Sequence, residues 1–230
     1  MMPQLSIVIP ALNERDNLVR LIPAVGDIAE SIGITVEVLV VDGPSRDGTA
    51  KAAESLGARV IRQKERGYGG ALLAGFAQAS SPWLLTMDAD LSHPPTFIRD
   101  LWERREEAEL TIASRYVAGG KASMSRFRYV LSLILNTVYR AVLRVPVRDL
   151  SSGFRLYRAS ALHDLHLTSR DFDILEEILV LGCNRGWRVA EVPFHYMPRG
   201  SGSSHAKLIQ FGWAYVRTLV RMVRLRSSAR

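Results

Sequence analysis

Several features that mark particular protein classes are missing from this 230-residue sequence, beginning with cysteine. Cys183 stands alone, which excludes a disulfide framework and a cysteine-based zinc site, and its apolar neighbours favour a buried thiol over a nucleophile. No apolar run approaches the ~18 residues of a membrane-spanning helix. The apolar run at residues 5–10 is too short for the core of a signal peptide, and we therefore expect a cytoplasmic protein.

Internal repeats are also missing, and only the Gly- and Ser-rich stretch at residues 200–204 has low complexity, which predicts a mobile loop. Hydrophobic residues make up 47% of the chain, enough for a proper core and too many for a disordered protein. The length suits one large α/β domain. We therefore expect residues 1–230 to form a single domain.

Charge divides this domain into an acidic half (residues 1–114) and a basic half (residues 115–230). The acidic half holds 11 Lys and Arg against 16 Asp and Glu, a formal charge of −5. The basic half holds 19 against 7, a formal charge of +12. We expect the acidic half to attract a metal ion and the basic half to bind an anion, which leaves nucleic acid, acidic phospholipid or a phosphorylated substrate as candidates.

The acidic half alternates short β-rich runs with helical patterns, which indicates βαβ units and a mostly parallel sheet covered by helices. The candidate strands are Leu5–Ile9, Val36–Val41, Arg59–Ile61, Trp83–Met87 and Leu110–Ala113. The candidate helices are Asn17–Ser31, Gly48–Leu56, Gly69–Ala79 and Pro95–Glu107.

The basic half has a different pattern, dominated by long helices. We predict helices at Phe127–Leu143, Ile174–Arg185 and Leu208–Arg226, and a strand at Val189–Tyr196. The last helix is amphipathic, because its arginines recur at residues 217, 221 and 224 opposite an apolar face. It is either an ordinary docked helix with a solvated face or a helix that lies on a membrane, and the presence of two such helices favours the membrane surface.

Two acids, Asp88 and Asp90, follow a short apolar run in the acidic half. A strand that ends in Asp-x-Asp presents both carboxylates at the carboxyl edge of a sheet, where α/β proteins bind ligands. Hard oxygen ligands suit Mg²⁺ or Mn²⁺, and such a cation also binds substrate phosphates. The alternative interpretation is a polar turn with an Asp helix cap before Pro94 and Pro95, with no role in metal binding.

Three further motifs are expected at the same edge. They are Pro-Ala-Leu-Asn-Glu at residues 10–14, Asp-Gly-Pro-Ser-Arg-Asp-Gly-Thr at 42–49 and Gly-Tyr-Gly-Gly at 67–70. Acids there can recognise a base or ribose, while a glycine-rich turn lets backbone approach a ligand closely. The third motif lacks the last glycine of a dinucleotide fingerprint, so a dinucleotide-binding interpretation is poor.

Together these motifs resemble glycosyltransferase family 2, in the right order and over nearly the whole chain. The pattern is most similar to the dolichol-phosphate or polyprenol-phosphate mannosyltransferase branch. The segments that match it include Asp-Ala-Asp-Leu-Ser-His-Pro-Pro at 88–95, Ala-Ser-Arg-Tyr at 113–116, Ser-Gly-Phe-Arg at 152–155 and Glu-Val-Pro at 191–193, followed by Arg199.

The resemblance implies a GT-A fold that binds a nucleotide sugar. By that analogy the nucleotide lies at Pro10, Asn13, Glu14 and Asp42, with Asp88 also at the donor. The metal ion is held by Asp88 and Asp90. The acceptor phosphate and the leaving group meet Arg115, Arg128, Ser132 and Arg199.

Three positions depart from the family pattern. Gly43 stands where the family often has a second Asp, which affects base contacts. Ser92 stands where this branch often has Gln, a possible third metal ligand. The loop after Arg199 reads Ser-His-Ala-Lys at 204–207 where Ser-Lys is more usual, which leaves the role of that lysine open.

A general base is needed only for some acceptors. A phosphate monoester is largely ionised near neutrality, whereas a sugar hydroxyl needs deprotonation. Glu177 fits the family position of a base best by its distance to Pro193, and we interpret it as a structural or positioning acid beside the catalytic groups Asp88, Asp90 and Arg115. His93 and His205 are expected to be capping or phosphate-side groups rather than metal ligands.

We therefore predict an inverting, metal-dependent transferase that moves a sugar, best guessed as mannose from GDP-mannose, to a polyprenyl or dolichyl phosphate. We expect peripheral association with an anionic membrane at its inner face. The alternative is a sugar hydroxyl or small acceptor with Glu177 or Asp173 as base. Nucleic-acid binding is disfavoured because the basic half has no base-stacking aromatic pattern. The sequence does not determine the oligomeric state.

Overall fold

The computed structural model describes residues 2–197 and 212–227. Nine strands lie in this part of the chain: β1 (Leu5–Ala11), β2 (Val36–Asp42), β3 (Arg59–Arg62), β4 (Trp83–Thr86), β5 (Leu110–Ser114), β6 (Lys121–Ala122), β7 (Arg155–Arg158), β8 (Val189–Pro193) and β9 (His195–Tyr196). The helices are α1 (Arg15–Ser31), α2 (Thr49–Ser55), α3 (Tyr68–Phe76), α4 (Ile98–Glu103), α5 (Arg126–Leu143), α6 (Ala159–His163), α7 (Ile174–Asn184) and α8 (Gly212–Ser227).

Seven strands form one sheet in the order β3-β2-β1-β4-β7-β5-β8. The pairs β1–β2, β1–β4, β2–β3 and β5–β8 are parallel, while β7 runs antiparallel to β4 and to β5. The predicted mixed α/β fold with a mostly parallel, helix-covered sheet is thus confirmed. The carboxyl ends of β1, β2 and β4 meet at one edge of this sheet, which is where the predicted donor motifs begin.

Hydrophobic residues cover both faces of the sheet because alternate side chains of each strand point in opposite directions. In β1, Val8 belongs to one buried cluster and Ile7 and Ile9 to the other. Helices α3, α5 and α7 contribute to the first cluster, whereas α1 and α4 contribute to the second. Burial on both faces explains why the parallel strands read as continuous apolar runs.

Strand β7 was not predicted, and its arginines explain why. Arg155 opens the strand with no exposed surface, which is unusual for a charged side chain. Its guanidinium donates to the carbonyl oxygens of Ser152 at 2.7 Å and Leu175 at 2.8 Å, and also to that of Leu150. These carbonyls offset the cost of burying the charge, and none of them can be recognised as a partner from the local sequence.

Two other predicted elements are divided in the structure. The run expected as one strand at Val189–Tyr196 is interrupted at Phe194, so that β8 extends the main sheet and β9 pairs with β6 in a separate two-stranded sheet. The expected helix at Pro95–Glu107 is a short 3₁₀ turn, Pro95–Phe97, followed by α4. The part of the last predicted helix before residue 212 lies outside the described residues. Within residues 2–197 and 212–227, every helix is too short or too polar to cross a bilayer.

Candidate active site

The residues predicted to bind the nucleotide sit at the edge where β1 and β2 end. The two strands are in register so that Ala11 pairs with Asp42, and their following loops are joined by hydrogen bonds. Asn13 has a left-handed backbone with φ of 56°, donates its amide to Ser45 Oγ at 2.8 Å and accepts the Arg46 amide on Oδ1 at 2.9 Å. Asn13 therefore holds the two loops together at the surface of this edge.

Glu14 and Asp47 complete the connection between these loops. The Glu14 amide donates to Thr49 Oγ1 at 3.0 Å, and the Glu14 carboxylate accepts from Asn17 in the first turn of α1. Asp47 accepts from the amides of Arg15 and Thr49 at 3.1 and 3.0 Å. Burial opposes ionisation of Asp47, but the hydrogen bonds from Thr49 and Arg15 outweigh it and hold the pKa of this carboxyl below its usual value.

Asp42 differs from these acids because part of its carboxylate is unsatisfied. The residue is 3% exposed at the end of β2, and its Oδ1 has no hydrogen-bond partner within the described residues. A buried acceptor without a donor costs about 1–3 kcal/mol. A ligand with N–H or O–H groups, such as a base or a ribose, removes that cost when it binds.

The Asp-x-Asp turn follows β4 at the same edge. About a third of the Asp88 side chain is exposed, and Asp90 is 4% exposed. Asp90 Oδ1 accepts the amide of Ser92 at 3.0 Å, and Leu91 between them has a left-handed φ of 64°. A non-glycine residue in that region is uncommon and marks a constrained turn. The turn thus fixes the direction of both carboxylates.

His93 supports this turn from below. Its Nδ1 accepts the Asp88 amide at 2.9 Å, which places the imidazole proton on Nε2, 3.8 Å from Asp88 Oδ2. The ring is buried and stacks on Phe154 with centroids 4.8 Å apart. Burial lowers the pKa of His93, which keeps the ring neutral. His93 therefore caps the turn, in keeping with the sequence-based expectation.

The donor set at this turn fits a hard divalent cation that is shared with a substrate. Asp88 and Asp90 supply carboxylate oxygens, while Ser92 is fully buried and its Oγ has no partner within the described residues. That part of the chain holds no group of three or more His, Cys, Asp or Glu side chains suited to a metal ion. A cation here must take its other ligands from water or phosphate, as Mg²⁺ commonly does.

Arg115, predicted to meet the acceptor phosphate, is held in a buried ion pair. Its Nε and Nη2 donate to the two oxygens of Asp149 at 2.8 and 2.7 Å, and Nη2 also donates to Ser151 Oγ at 2.8 Å. The burial of Arg115 favours its neutral form, but Asp149 outweighs burial and raises the pKa of the guanidinium. Nη1 makes no hydrogen bond within the described residues and is the nitrogen that a ligand could use.

The other predicted phosphate contacts lie on α5 or beyond it. Arg128 is exposed in the first turn of α5, and Ser132 follows one turn later. Ser132 lines a cavity of about 90 Å³ with mixed walls, named the polar cavity for the Ser, Asn and Glu side chains among its apolar ones. Its other walls are Leu135, Asn136, Tyr139, Leu150, Ser151, Glu176 and Tyr215. Arg199 and His205 lie outside the described residues, and their roles stay predictions.

An apolar groove of about 210 Å³ continues from this polar cavity between α5 and α8. Leu135, Tyr139 and Tyr215 border both spaces. Tyr139 donates its hydroxyl to the Tyr215 carbonyl at 2.6 Å, which joins the two helices at the boundary. The cavity and the groove together can hold a ligand with one polar end and one apolar end.

Glu177 is saturated by donors and does not line this cavity. Its carboxylate accepts the amides of Thr168 and Ser169 at 3.1 and 2.8 Å, the Thr168 hydroxyl at 2.7 Å and Arg221 Nη2 at 3.0 Å. Arg221 also donates to Asp173 Oδ2 at 2.9 Å. Both acids considered as bases therefore help to anchor α8 to α7.

Glu176, the neighbour of Glu177, is the acid that lines the cavity, and no feature of the sequence favoured it over Glu177. Successive helical residues point about 100° apart, so a distance to Pro193 cannot tell the two acids apart. Burial raises the pKa of Glu176 to about 7. The sequence also did not predict a role for Tyr68, because the motif at residues 67–70 was interpreted through the backbone freedom of its glycines.

Comparisons with known proteins agree with this architecture. The model of Glycosyl transferase family 2 matches residues 6–165. Dolichol-phosphate mannosyltransferase from Pyrococcus furiosus is 35% identical over 213 residues, which cover 89% of this chain and 59% of the relative. This chain therefore spans less than two thirds of that protein. Polyprenol monophosphomannose synthase from Mycolicibacterium smegmatis is 33% identical over 213 residues, covering 86% of this chain and 79% of the relative.

Solved structures show the same fold at lower identity. Glucosyl-3-phosphoglycerate synthase from Mycobacterium tuberculosis, in complex with Mn²⁺, UDP and glucosyl-3-phosphoglycerate, has a TM-score of 0.73 and 21% identity, covering 97% of this chain and 80% of its own. The same enzyme with Mg²⁺ and UDP has a TM-score of 0.75 and 21% identity, covering 96% and 80%. The fold is GT-A, and the family match with its relatives shows that this chain is a member of glycosyltransferase family 2.

Proposed function

We propose that this chain transfers a sugar, with inversion, from a nucleotide sugar to a polyprenyl phosphate, and that mannose from GDP-mannose is the donor to test first. The observation that carries the proposal is the course of residues 150–153. Leu150 and Ser151 line the polar cavity, while a Cβ built on Gly153 would stand 3.6 Å from Asp88 Oδ1. Residues 150–153 therefore run from the wall of the cavity to the Asp88 carboxylate and connect the acceptor side of the site with the donor side.

The donor side of the proposal uses the edge formed by β1, β2 and β4. The nucleotide binds at Pro10, Asn13, Glu14 and Asp42, where the unsatisfied Oδ1 of Asp42 accepts from the base or ribose. A Mg²⁺ or Mn²⁺ ion held by Asp88 and Asp90 would neutralise charge on the departing diphosphate. The relatives named for dolichol and polyprenol phosphate favour mannose as the sugar, and the solved neighbours with UDP and Mn²⁺ or Mg²⁺ favour a nucleotide donor with a divalent ion.

The acceptor side uses the polar cavity and the apolar groove. A phosphate would bind at Ser132, with Arg128 one helical turn away and Arg115 attached to the neighbouring wall through Ser151, and the isoprenyl chain would lie between α5 and α8. A phosphate oxygen attacks the anomeric carbon while the bond from that carbon to the diphosphate breaks. No base is required because the nucleophile is already ionised.

The same two helices supply the surface for a lipid substrate. Five apolar side chains of α5 are more than 40% exposed: Phe127, Val130, Ile134, Val138 and Val142. On α8, Val216 and Val220 are about half exposed, and Arg217 and Arg224 are exposed beside them. Exposed apolar residues bordered by arginines favour an anionic membrane surface, and we place this protein peripherally at the inner face of the membrane.

A hydroxyl acceptor is the second candidate, and Glu176 is the observation that favours it. A carboxyl with a pKa of about 7 inside the cavity is suited to accept a proton from a sugar hydroxyl. Glu177 and Asp173, the bases first considered, are engaged by Arg221 instead.

A product assay separates the two candidates. Purified protein is incubated with Mn²⁺ or Mg²⁺, with GDP-mannose or UDP-glucose, and with either a polyprenyl phosphate or an alcohol. The alcohols are the matching polyprenol and simple sugars, and the products are analysed by mass spectrometry. The proposal expects a glycosylated phosphate and no product from the alcohol. A product from the alcohol that disappears in Glu176→Gln would establish the second candidate instead.

A further inference from the structure

Tyr68 brings a buried hydroxyl to the metal side of the site. It is the first residue of α3, and its Oη makes no hydrogen bond of ordinary geometry within the described residues, although Asp88 lies close enough to interact with it. A Cβ built on Gly153 would lie 2.6 Å from this oxygen and 3.6 Å from Asp88 Oδ1. Only a glycine at position 153 lets the hydroxyl and the carboxylate converge on the same small space.

The ring that carries this hydroxyl is held firmly on its other sides. Tyr68 stacks on Phe172 with centroids 4.7 Å apart and planes 14° from parallel. The backbone around it lies against residues 169–171, and the Gly70 amide donates to the Arg170 carbonyl at 2.9 Å. A Cβ at Gly67, whose φ is 88°, would stand 2.2 Å from that carbonyl oxygen. Packing therefore directs the hydroxyl and limits its movement.

Packing alone does not account for a tyrosine at this position. A phenylalanine would keep the ring stack on Phe172 and would bury no unsatisfied oxygen, which costs free energy when it lacks a partner. A phenol keeps its proton near neutral pH, so the hydroxyl is available as a donor. Asp88, the carboxylate proposed to hold the cation, is the acid that borders the same space beside Gly153.

We propose that Tyr68 is a positioning residue for Asp88, and that its hydroxyl donates a hydrogen bond to the Asp88 carboxylate when the cation and the nucleoside diphosphate are bound. The inference rests on the proposed function, because it takes Asp88 as a ligand of that cation. A hydrogen bond to one oxygen fixes the orientation of the carboxylate and leaves the other oxygen for the cation. Such outer partners commonly change metal affinity by about 10- to 100-fold when they are removed.

The test compares Tyr68→Phe with Ser81→Ala, which removes another buried hydroxyl without a hydrogen-bond partner within the described residues, just before the amino end of β4. The binding of Mn²⁺ is measured by the loss of the free-ion electron paramagnetic resonance signal, with GDP or UDP, whichever tightens binding to the unmodified protein. We expect Tyr68→Phe to weaken Mn²⁺ binding by roughly 10-fold or more and Ser81→Ala to leave it unchanged. Thermal unfolding of both variants checks that each is folded.

A second pair of variants tests the same contact from the other side. Gly153→Ala adds a methyl group against the Tyr68 oxygen and should weaken Mn²⁺ binding as Tyr68→Phe does, whereas Gly26→Ala adds one in open space on α1 and should not. Unchanged Mn²⁺ affinity in Tyr68→Phe would overturn the proposal even if Gly153→Ala binds poorly. The variant Asp90→Asn separates the role of Tyr68 from the metal site on which it depends. If Asp90→Asn also binds Mn²⁺ normally, the proposed metal site is wrong.

Discussion

Acids serve different purposes in the two halves of this molecule. In the acidic half, Asp42 ends its strand with a buried oxygen that has no partner within the described residues, and Asp88 stands partly exposed at the same edge. In the basic half, Asp149 and Glu177 are as deeply buried but are saturated by arginine and backbone donors. The first set is prepared for a ligand, whereas the second set holds the protein together.

The comparison also changes the meaning of the +12 charge of the basic half. Arg115 is paired with Asp149, Arg155 is bound to carbonyl oxygens in the core, and Arg221 is paired with Asp173 and Glu177. The guanidinium groups of Arg155 and Arg221 are thus engaged by acceptors of the protein, and Arg115 keeps only part of its guanidinium for an anion. The arginines exposed on the surface, such as Arg128 of α5 and Arg217 of α8, are the better candidates for binding phosphate or a membrane surface.

The largest effect is expected where an acid faces a ligand. Asp90→Ala should reduce turnover by roughly 10³-fold, since stabilising a departing diphosphate is worth several kcal/mol. The fold should survive, because the change removes a carboxylate at the edge of the sheet. Activity assays, with and without a chelator, and circular dichroism test both parts. Full activity of the chelator-treated protein would show that Asp90 does not act through a metal ion.

The next effect should appear as stability rather than activity. Asp149→Asn leaves Arg115 buried without its counter-charge, which should cost about 3–5 kcal/mol of unfolding free energy. Asp42→Asn should leave stability almost unchanged, because it alters an oxygen that already lacks a partner, while it weakens nucleotide binding. Urea denaturation measures both. Glu107→Gln, in an exposed pair with Arg104, is the control and should cost ~1 kcal/mol or less.

If Asp42→Asn proves as destabilising as Asp149→Asn, the distinction between the two sets of acids is wrong. If Asp149→Asn costs no more than the exposed pair, the buried ion pair contributes little, and Arg115 is more available to a ligand than the contacts with Asp149 indicate.

The sequence predicted the elements that depend on local pattern. Short apolar runs that alternate with helical patterns located β1 to β5. They also located the strand ends at which Asp42, Asp88 and Asp90 meet. It did not predict β7, because the burial of Arg155 depends on the carbonyl of Leu175, twenty residues away. The pairing of Arg115 with Asp149 spans 34 residues and was missed for the same reason.

The choice between Glu176 and Glu177 illustrates the same limit at shorter range. The two acids are adjacent in sequence, yet one faces the cavity and the other faces the loop at residues 168–169. The packing of the neighbouring helices decides which of the two acids faces the cavity, and the local sequence carries no signal of that packing. Their chemical properties differ accordingly.

This difference leads to a pH prediction. The pKa of Glu176 is raised to about 7 by burial, with Asp173 adding to the increase and Arg155 opposing it, while Tyr139 and Tyr215 face the carboxyl from α5 and α8. The folded protein thus holds a proton that the unfolded chain loses near pH 4.5. Stability contributed by this group falls as pH rises between these values, by up to about 3 kcal/mol.

Glu176→Gln should remove that loss. The variant should match the unmodified protein in unfolding free energy near pH 4.5, exceed it by an increasing margin up to pH 7 and keep the margin above that. Glu177→Gln is the matched control and should destabilise the protein, because it weakens a carboxylate that accepts several hydrogen bonds. Parallel stability curves for Glu176→Gln and the unmodified protein across this range would contradict the assignment.

The smallest effect concerns two arginines that are exposed on α8. Arg217 and Arg224 are exposed on α8, beside exposed apolar residues, and each should contribute on the order of 1 kcal/mol to binding an anionic membrane. Replacing either with Gln should weaken flotation with acidic liposomes by about fivefold at low salt, and raising the salt should reduce the difference because exposed charges are screened. Arg20→Gln, an exposed arginine of α1 in the acidic half, is the control and should float normally.

Equal losses from all three variants would mean that overall charge, rather than the surface formed by α5 and α8, attracts the protein to the membrane. The proposed membrane surface would be wrong if both α8 variants bound as well as the unmodified protein and recovery were equal on neutral and acidic vesicles.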